Sequence, residues 1–177
     1  MNLNGKDLNR IAQSDLGRSV AVTVYTNTAT KAVTGTTETS MLDQPVTLQP
    51  ADMASGSVIK ATLAGVITTQ VNITATLTLR LGTTVITTSS IMLPNSLANN
   101  NARLELTLRF TATGVWLTGE TVIQTAAGLS TPFDRPITNL TEVAVDTLTA
   151  KQLDITYQFA SGVNNLTIIN TEITSKK

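Results

Sequence analysis

The sequence predicts an all-β protein, an antiparallel β-sandwich of jelly-roll type with a short N-terminal arm. Three observations predict it. Apolar and polar residues alternate with period two along many segments, as a strand with one buried and one wet face requires. Threonine, whose branched Cβ favours extended backbone, supplies 34 of the 177 residues. Long connections at 31–44, 94–102 and 126–142 suit chains that cross between two packed sheets, as in Greek-key or jelly-roll folds, and not a simple meander.

The elements follow in order. Residues 1 to 18 form the arm, and 19 to 177 the sandwich. In the arm, Leu8, Ile11, Ala12 and Leu16 fall at i, i+3, i+4 and i+8, the stripe of a short helix that Gly17 would end. An isolated helix this short (the usual limit is about 12–15 residues) needs a surface to lie on. It is either a frayed terminus on its own domain or a docking arm for a neighbouring chain. Next, "SVAVTVYT" sets Val20, Val22 and Val24 on one face. "KAVTGTTETSMLDQ" has weak periodicity and reads as a loop or ragged edge. "PVTLQP" is a short strand between Pro45 and Pro50. "GSVIKATLAGVI" places Ile59, Ala61 and Leu63 on one side.

The clearest alternation is "VNITATLTLRLG". Ile73, Ala75, Leu77, Leu79 and Leu81 make one face; Thr74, Thr76, Thr78 and Arg80 make the other. Gly82, Thr83 and Thr84 then predict a tight turn into "VITTSSIML", which Pro94 ends. "RLELTLRFTATG" directs Leu104, Leu106, Leu108 and Phe110 one way and Glu105, Thr107 and Arg109 the other. After Gly114 the chain returns through "VWLTGETVIQT". Residues 126–142, with Pro132 and Pro136, read as the longest irregular stretch. "VAVDTL" is a candidate short strand. "LDITYQF" turns Leu153, Ile155, Tyr157 and Phe159 inward, and "LTIINTEIT" is the last strand. That makes eight to ten strands.

Composition bounds the function. A 177-residue chain fits one domain that buries roughly 70% of its unfolded surface. Aromatics are only 3%, so the core must be built mainly from Leu, Ile, Val and Ala. Twelve basic residues balance twelve acidic ones, which removes the electrostatic drive toward nucleic acid. Residues 61–79 are uncharged, yet their Thr, Gln, Asn and period-two pattern suit a half-exposed sheet and not a membrane span. "MNLNGKDLNRIAQSDLGR" lacks the apolar run of a signal peptide. The absence of cysteine leans toward synthesis in the cytoplasm.

The chain has neither histidine nor cysteine. The commonest general base, the thiol nucleophile and the usual zinc ligands are therefore missing. No lysine stands in a Ser-x-x-Lys pattern. Glu105, Glu120, Asp134, Glu142, Asp146 and Asp154 are the carboxylates a glycosidase would draw on, but each reads more simply as a solvated face or loop charge. Asp134, Glu142 and Asp146 lie in one region without the D-x-D-x-D pattern of a calcium loop. Asn72, Asn139 and Asn165 each open an N-x-T triplet, as chance allows in a chain rich in Asn and Thr. Trp116, the one tryptophan, is expected in the sandwich core or at a subunit contact more than on a sugar. No enzyme, cofactor or metal is expected.

The order of "TLTLRLG" (76–82), "LRFTATG" (108–114), "WLTG" (116–119), "DT" (146–147) and "LDITYQFASGVNNLTI" (153–168) resembles the small jelly-roll domains of tailed-phage virion structural proteins. The resemblance covers roughly residues 56 to 173. Phe159 stands where that family often carries Trp. The resemblance implies a non-enzymatic domain, commonly trimeric, that decorates a capsid or belongs to a tail, collar or fibre. A single short head without a shaft or repeat favours a capsid decoration (cement) protein. Its expected partners are itself, as a homotrimer, and the major capsid protein, with no nucleic acid and no membrane. Its expected place is the outer surface of the virion head, after synthesis in the host cytoplasm. Leu8, Ile11 and Leu16 would dock the arm on the capsid. The alternative is a receptor- or glycan-binding module of a tail or fibre, with Phe133 and Arg135 as loop contacts.

Overall fold

Alternation in the sequence becomes strands in the computed structural model, which describes residues 21–70, 73–94, 97–124, 133–139 and 141–177. The arm residues Leu8, Ile11, Ala12 and Leu16 lie outside the described residues. The strands are β1 (Val22–Asn27), β2 (Lys31–Thr34), β3 (Thr39–Ser40), β4 (Val46–Leu48), β5 (Val58–Thr68), β6 (Ile73–Leu81) and β7 (Thr84–Leu93). They continue as β8 (Asn100–Phe110), β9 (Gly114–Ile123), β10 (Phe133–Thr138), β11 (Val143–Ala144), β12 (Lys151–Phe159) and β13 (Asn165–Lys176). Among the described residues the helical content is one 3-10 turn, Pro50–Met53.

All pairings are antiparallel. The large sheet runs β1-β13-β5-β8-β9-β10, with β2 also on β13 and β11 also on β9. The small sheet runs β3-β12-β6-β7, with β4 also on β12. A simple pattern underlies this. One set of four is β1-β13-β5-β8; the other is the β3/β4 edge, β12, β6 and β7. Successive strands interleave between the two sets in the order of a jelly roll. The segment between β8 and β12 adds β9, β10 and β11 and widens the large sheet.

The inner faces meet in one core. On β6, Ile73, Ala75, Leu77, Leu79 and Leu81 are buried, as the alternation requires. Leu104, Leu106, Leu108 and Phe110 on β8, and Leu153, Ile155, Tyr157 and Phe159 on β12, are buried too. Between β6 and β7 the connection is two residues, because Leu81 pairs with Thr84. Gly82 takes the first turn position at φ 58°, the left-handed region that a primed hairpin turn demands.

Several strands depart from the expected pattern, and backbone irregularities explain them. On β1 a register shift between Thr23 and Tyr25 inserts an extra residue. Tyr25 is therefore buried, while Val22 is exposed. On β7, Ile86 and Ile91 are both buried although five apart, because the register with β6 shifts between Leu79 and Arg80. Residues 126–142 are not wholly irregular: Phe133–Thr138 is an edge strand. Pro136 is tolerated there because an edge strand can lack a ladder donor.

Candidate interaction surfaces

Phe133 and Arg135 were expected on a loop; both lie on edge strand β10. The Arg135 guanidinium sits 4.7 Å from the Phe133 ring centroid, a cation–π contact. Phe133 is half-buried and packs against the core, so its ring serves the fold. Trp116 is not in the sandwich core. It projects from the outer face of the large sheet, 40% exposed, directly opposite Arg109. Val115 and Leu117 take the inward positions on either side. Period two showed that the ring and its neighbours must face opposite ways, but not which side was the core.

Register turns the outer face of the large sheet into rows. One row runs Lys176, Val58, Arg109, Trp116. Another runs Glu172, Thr62, Glu105, Glu120, Pro136. A third runs Asn170, Ala64, Arg103, Val122, Asp134. Glu105 and Glu120 stand directly opposite each other, a repulsive arrangement unless compensated. Lys60, 3.2 Å from Glu105, and Arg103 supply the compensation. Glu120 and Glu172 have no ion-pair partner among the described residues. Beside Glu120 lies an open trough of about 420 Å³, lined by apolar groups such as Ala64, Gly65 and Val122 and by the polar Asn101, Gln124, Asn170 and Glu120.

The outer face of the small sheet is different in kind. It carries Thr74, Thr76, Thr78 and Arg80 on β6, Thr88, Ser90 and Met92 on β7, and Asp154, Thr156 and Gln158 on β12. Glu38 reaches across two strands and accepts hydrogen bonds from Arg80 and Thr156. These bonds hold its carboxyl below the usual range, the Arg80 bond contributing most. Ser40 donates to Asp154 at 2.7 Å. This cover explains why Thr78 and Thr156 are buried although they point away from the core.

The three acids of this region are not grouped into a metal site; Glu142 and Asp146 each have their own partners. Asp134 lies on β10. Glu142 accepts from Thr111 and Thr113, tying two turns together, and its carboxyl is lowered by those bonds. Asp146 accepts from Thr149 at 2.6 Å, the Leu148 amide at 2.9 Å and Lys151 at 3.0 Å. Its pKa falls to about 2, chiefly through the Thr149 hydroxyl. Among the described residues no group of three His, Cys, Asp or Glu could hold a metal ion. Lys151 also donates to Thr149 at 2.8 Å, but the Thr149 proton is committed to Asp146. The trio orders the loop between β11 and β12.

No family model matches this chain, and no curated protein matches it. Among solved structures, it is similar to a chain in the structure of infectious bursal disease virus Gt strain, at 12% identity and a TM-score of 0.32. The match covers 89% of this chain and 32% of that one, so this chain spans about a third of its length.

Proposed function

We propose that the protein is a non-enzymatic structural protein of a phage virion, a trimeric decoration protein that binds the major capsid protein on the outer surface of the head. The observation that carries this reading is the character of the two outer faces. Both are broad sheet surfaces rich in Thr and other polar side chains, with some of their charges tied to one another, by Lys60–Glu105–Arg103 on one and Glu38–Arg80 on the other. Such faces suit packing against protein. The motif order between residues 76 and 168 supplies the virion context.

In this reading residues 1 to 18 clamp the shell through Leu8, Ile11 and Leu16. Val22, which opens β1, pairs with Ser175 near the end of β13. Three arms on one trimer engage together, so avidity multiplies modest contacts. Deleting residues 1 to 18 is expected to weaken co-sedimentation with undecorated heads by about a hundredfold. The thermal melt of the sandwich should not change. Full binding by the truncated protein would overturn the arm's role.

A second reading is a glycan- or receptor-binding module of a tail. The trough beside Glu120 favours it, because side-chain amides and charges next to apolar groups can hydrogen-bond sugar hydroxyls. Saturable polysaccharide binding that is lost in Asn101→Ala and Gln124→Ala would establish it.

A further inference from the structure

Three of the four lateral sheet edges are broken or guarded. Beside β13 the edge is shared by β1, which carries a register shift, and the four-residue β2. Beside β12 it is shared by β3 and β4, of two and three residues. Beyond β9 it is shared by the two-residue β11 and by β10, which carries Asp134, Arg135 and Pro136. Short strands, charges, proline and bulges are the devices that stop sheets from adding further strands. The fourth edge is β7, ten residues long and, among the described residues, paired only with β6. It contains neither charge nor proline, and the sequence has no charged residue between Arg80 and Arg103. Its register shift lies at its beginning, which leaves Thr87–Leu93 regular.

Hydrogen-bond parity fixes which groups face outward. Ala160 N–H donates to the Thr74 carbonyl, so Thr74 points toward β12. Alternation then directs Thr76 and Thr78 to β12, and Ile73, Ala75, Leu77 and Leu79 to β7. The partners of the latter are Leu93, Ile91, Ser89 and Thr87. The N–H and C=O groups of Thr88, Ser90 and Met92 therefore point away from the sheet. No side-chain or loop hydrogen bond among the described residues reaches them, and all three side chains are exposed.

We propose that the outer edge of β7 is a strand-pairing site whose occupant is β7 of a second copy, antiparallel about a two-fold axis at Ser90. The three outward residues are symmetric about Ser90, which is also the centre of the regular run Thr87–Leu93. Pairing Thr88 with Met92 of the other copy, Ser90 with itself, and Met92 with Thr88 satisfies all the outward groups, with about six hydrogen bonds. The lack of charge points to self-pairing and not to a foreign strand. A two-fold axis sets each residue near it opposite its own kind, so a charge there would meet a like charge. Met92, 66% exposed, would be covered by the facing strand. The result is one sheet continuous through two small sheets. It adds to whatever other association the chain has, and it does not rest on the virion reading.

Sedimentation equilibrium of the full chain tests it, with Ser90→Lys and, as an equally charged control on the opposite face, Thr118→Lys. Wild type and Thr118→Lys should show at least about twice the mass of Ser90→Lys. Single cysteines provide a second readout, since the chain has none of its own. Paired Cα atoms at Ser90 would lie about 5.5 Å apart, within disulfide range. Ser90→Cys should cross-link between chains much faster than Thr118→Cys. Equal masses for wild type and Ser90→Lys, or equal cross-linking rates, would overturn the proposal.

Discussion

Phe159→Ala is expected to lower the unfolding free energy by about 3–5 kcal/mol, measured by urea denaturation. Phe159 is fully buried on β12 and meets Tyr157 edge-on, with ring centroids 5.2 Å apart. Directly opposite it on β6 is Ala75, whose small side chain leaves the space that the ring fills. Three Phe, two Tyr and one Trp are all the aromatics in the chain, so few other groups can move into the gap. Two close-packed sheets cannot collapse around a missing ring without breaking their ladders. Phe133→Ala, at a half-buried edge position, should cost only about 1 kcal/mol. A loss below about 1.5 kcal/mol at Phe159 would mean that the ring is not a keystone of this core.

Gly65→Ala is expected to destabilise by about 1–3 kcal/mol or more, against the usual sign for glycine in a strand. Normally the exchange helps, because alanine restricts the unfolded chain. Here a Cβ on Gly65 would lie 2.0 Å from the Thr167 carbonyl oxygen and 2.9 Å from its carbon. Those are backbone atoms of the neighbouring strand, so they cannot swing aside. The register shift between Ile168 and Asn170 on β13 lies next to this contact. Gly162→Ala is the contrast: nothing lies within 4 Å of its added Cβ. It should stabilise by about 0.4–1 kcal/mol. A neutral or stabilising Gly65→Ala in the same urea series would show that β5 and β13 do not approach as described.

The long strands were legible in the sequence because their inner faces are continuous. Ile59, Ala61 and Leu63, or Leu104, Leu106 and Leu108, need only a period-two count to be assigned to one side. Extra residues were not legible. Nothing in "TVYT" announces the bulge that buries Tyr25 instead of Val22. Pro132 and Pro136 hid β10, because proline marks both loops and edge strands. The surfaces were less legible than the core. Glu105 faces Glu120, and Arg109 faces Trp116, only once the register of β8 on β9 is known, and no local pattern supplies that. Glu38 lies far in sequence from Arg80 and Thr156, so the cover it forms over the small sheet is purely tertiary. The uncharged run around β7 was visible as composition. Its meaning depends on β7 being, among the described residues, the one long unguarded edge.

The proposed role makes this sandwich a component of the virion shell. Quantitative mass spectrometry of purified particles, with the major capsid protein as the internal standard, tests it most directly. A decoration protein should be present at a sizeable fraction of the capsid protein, enough to coat the head. A few copies per particle, or none, would contradict the account.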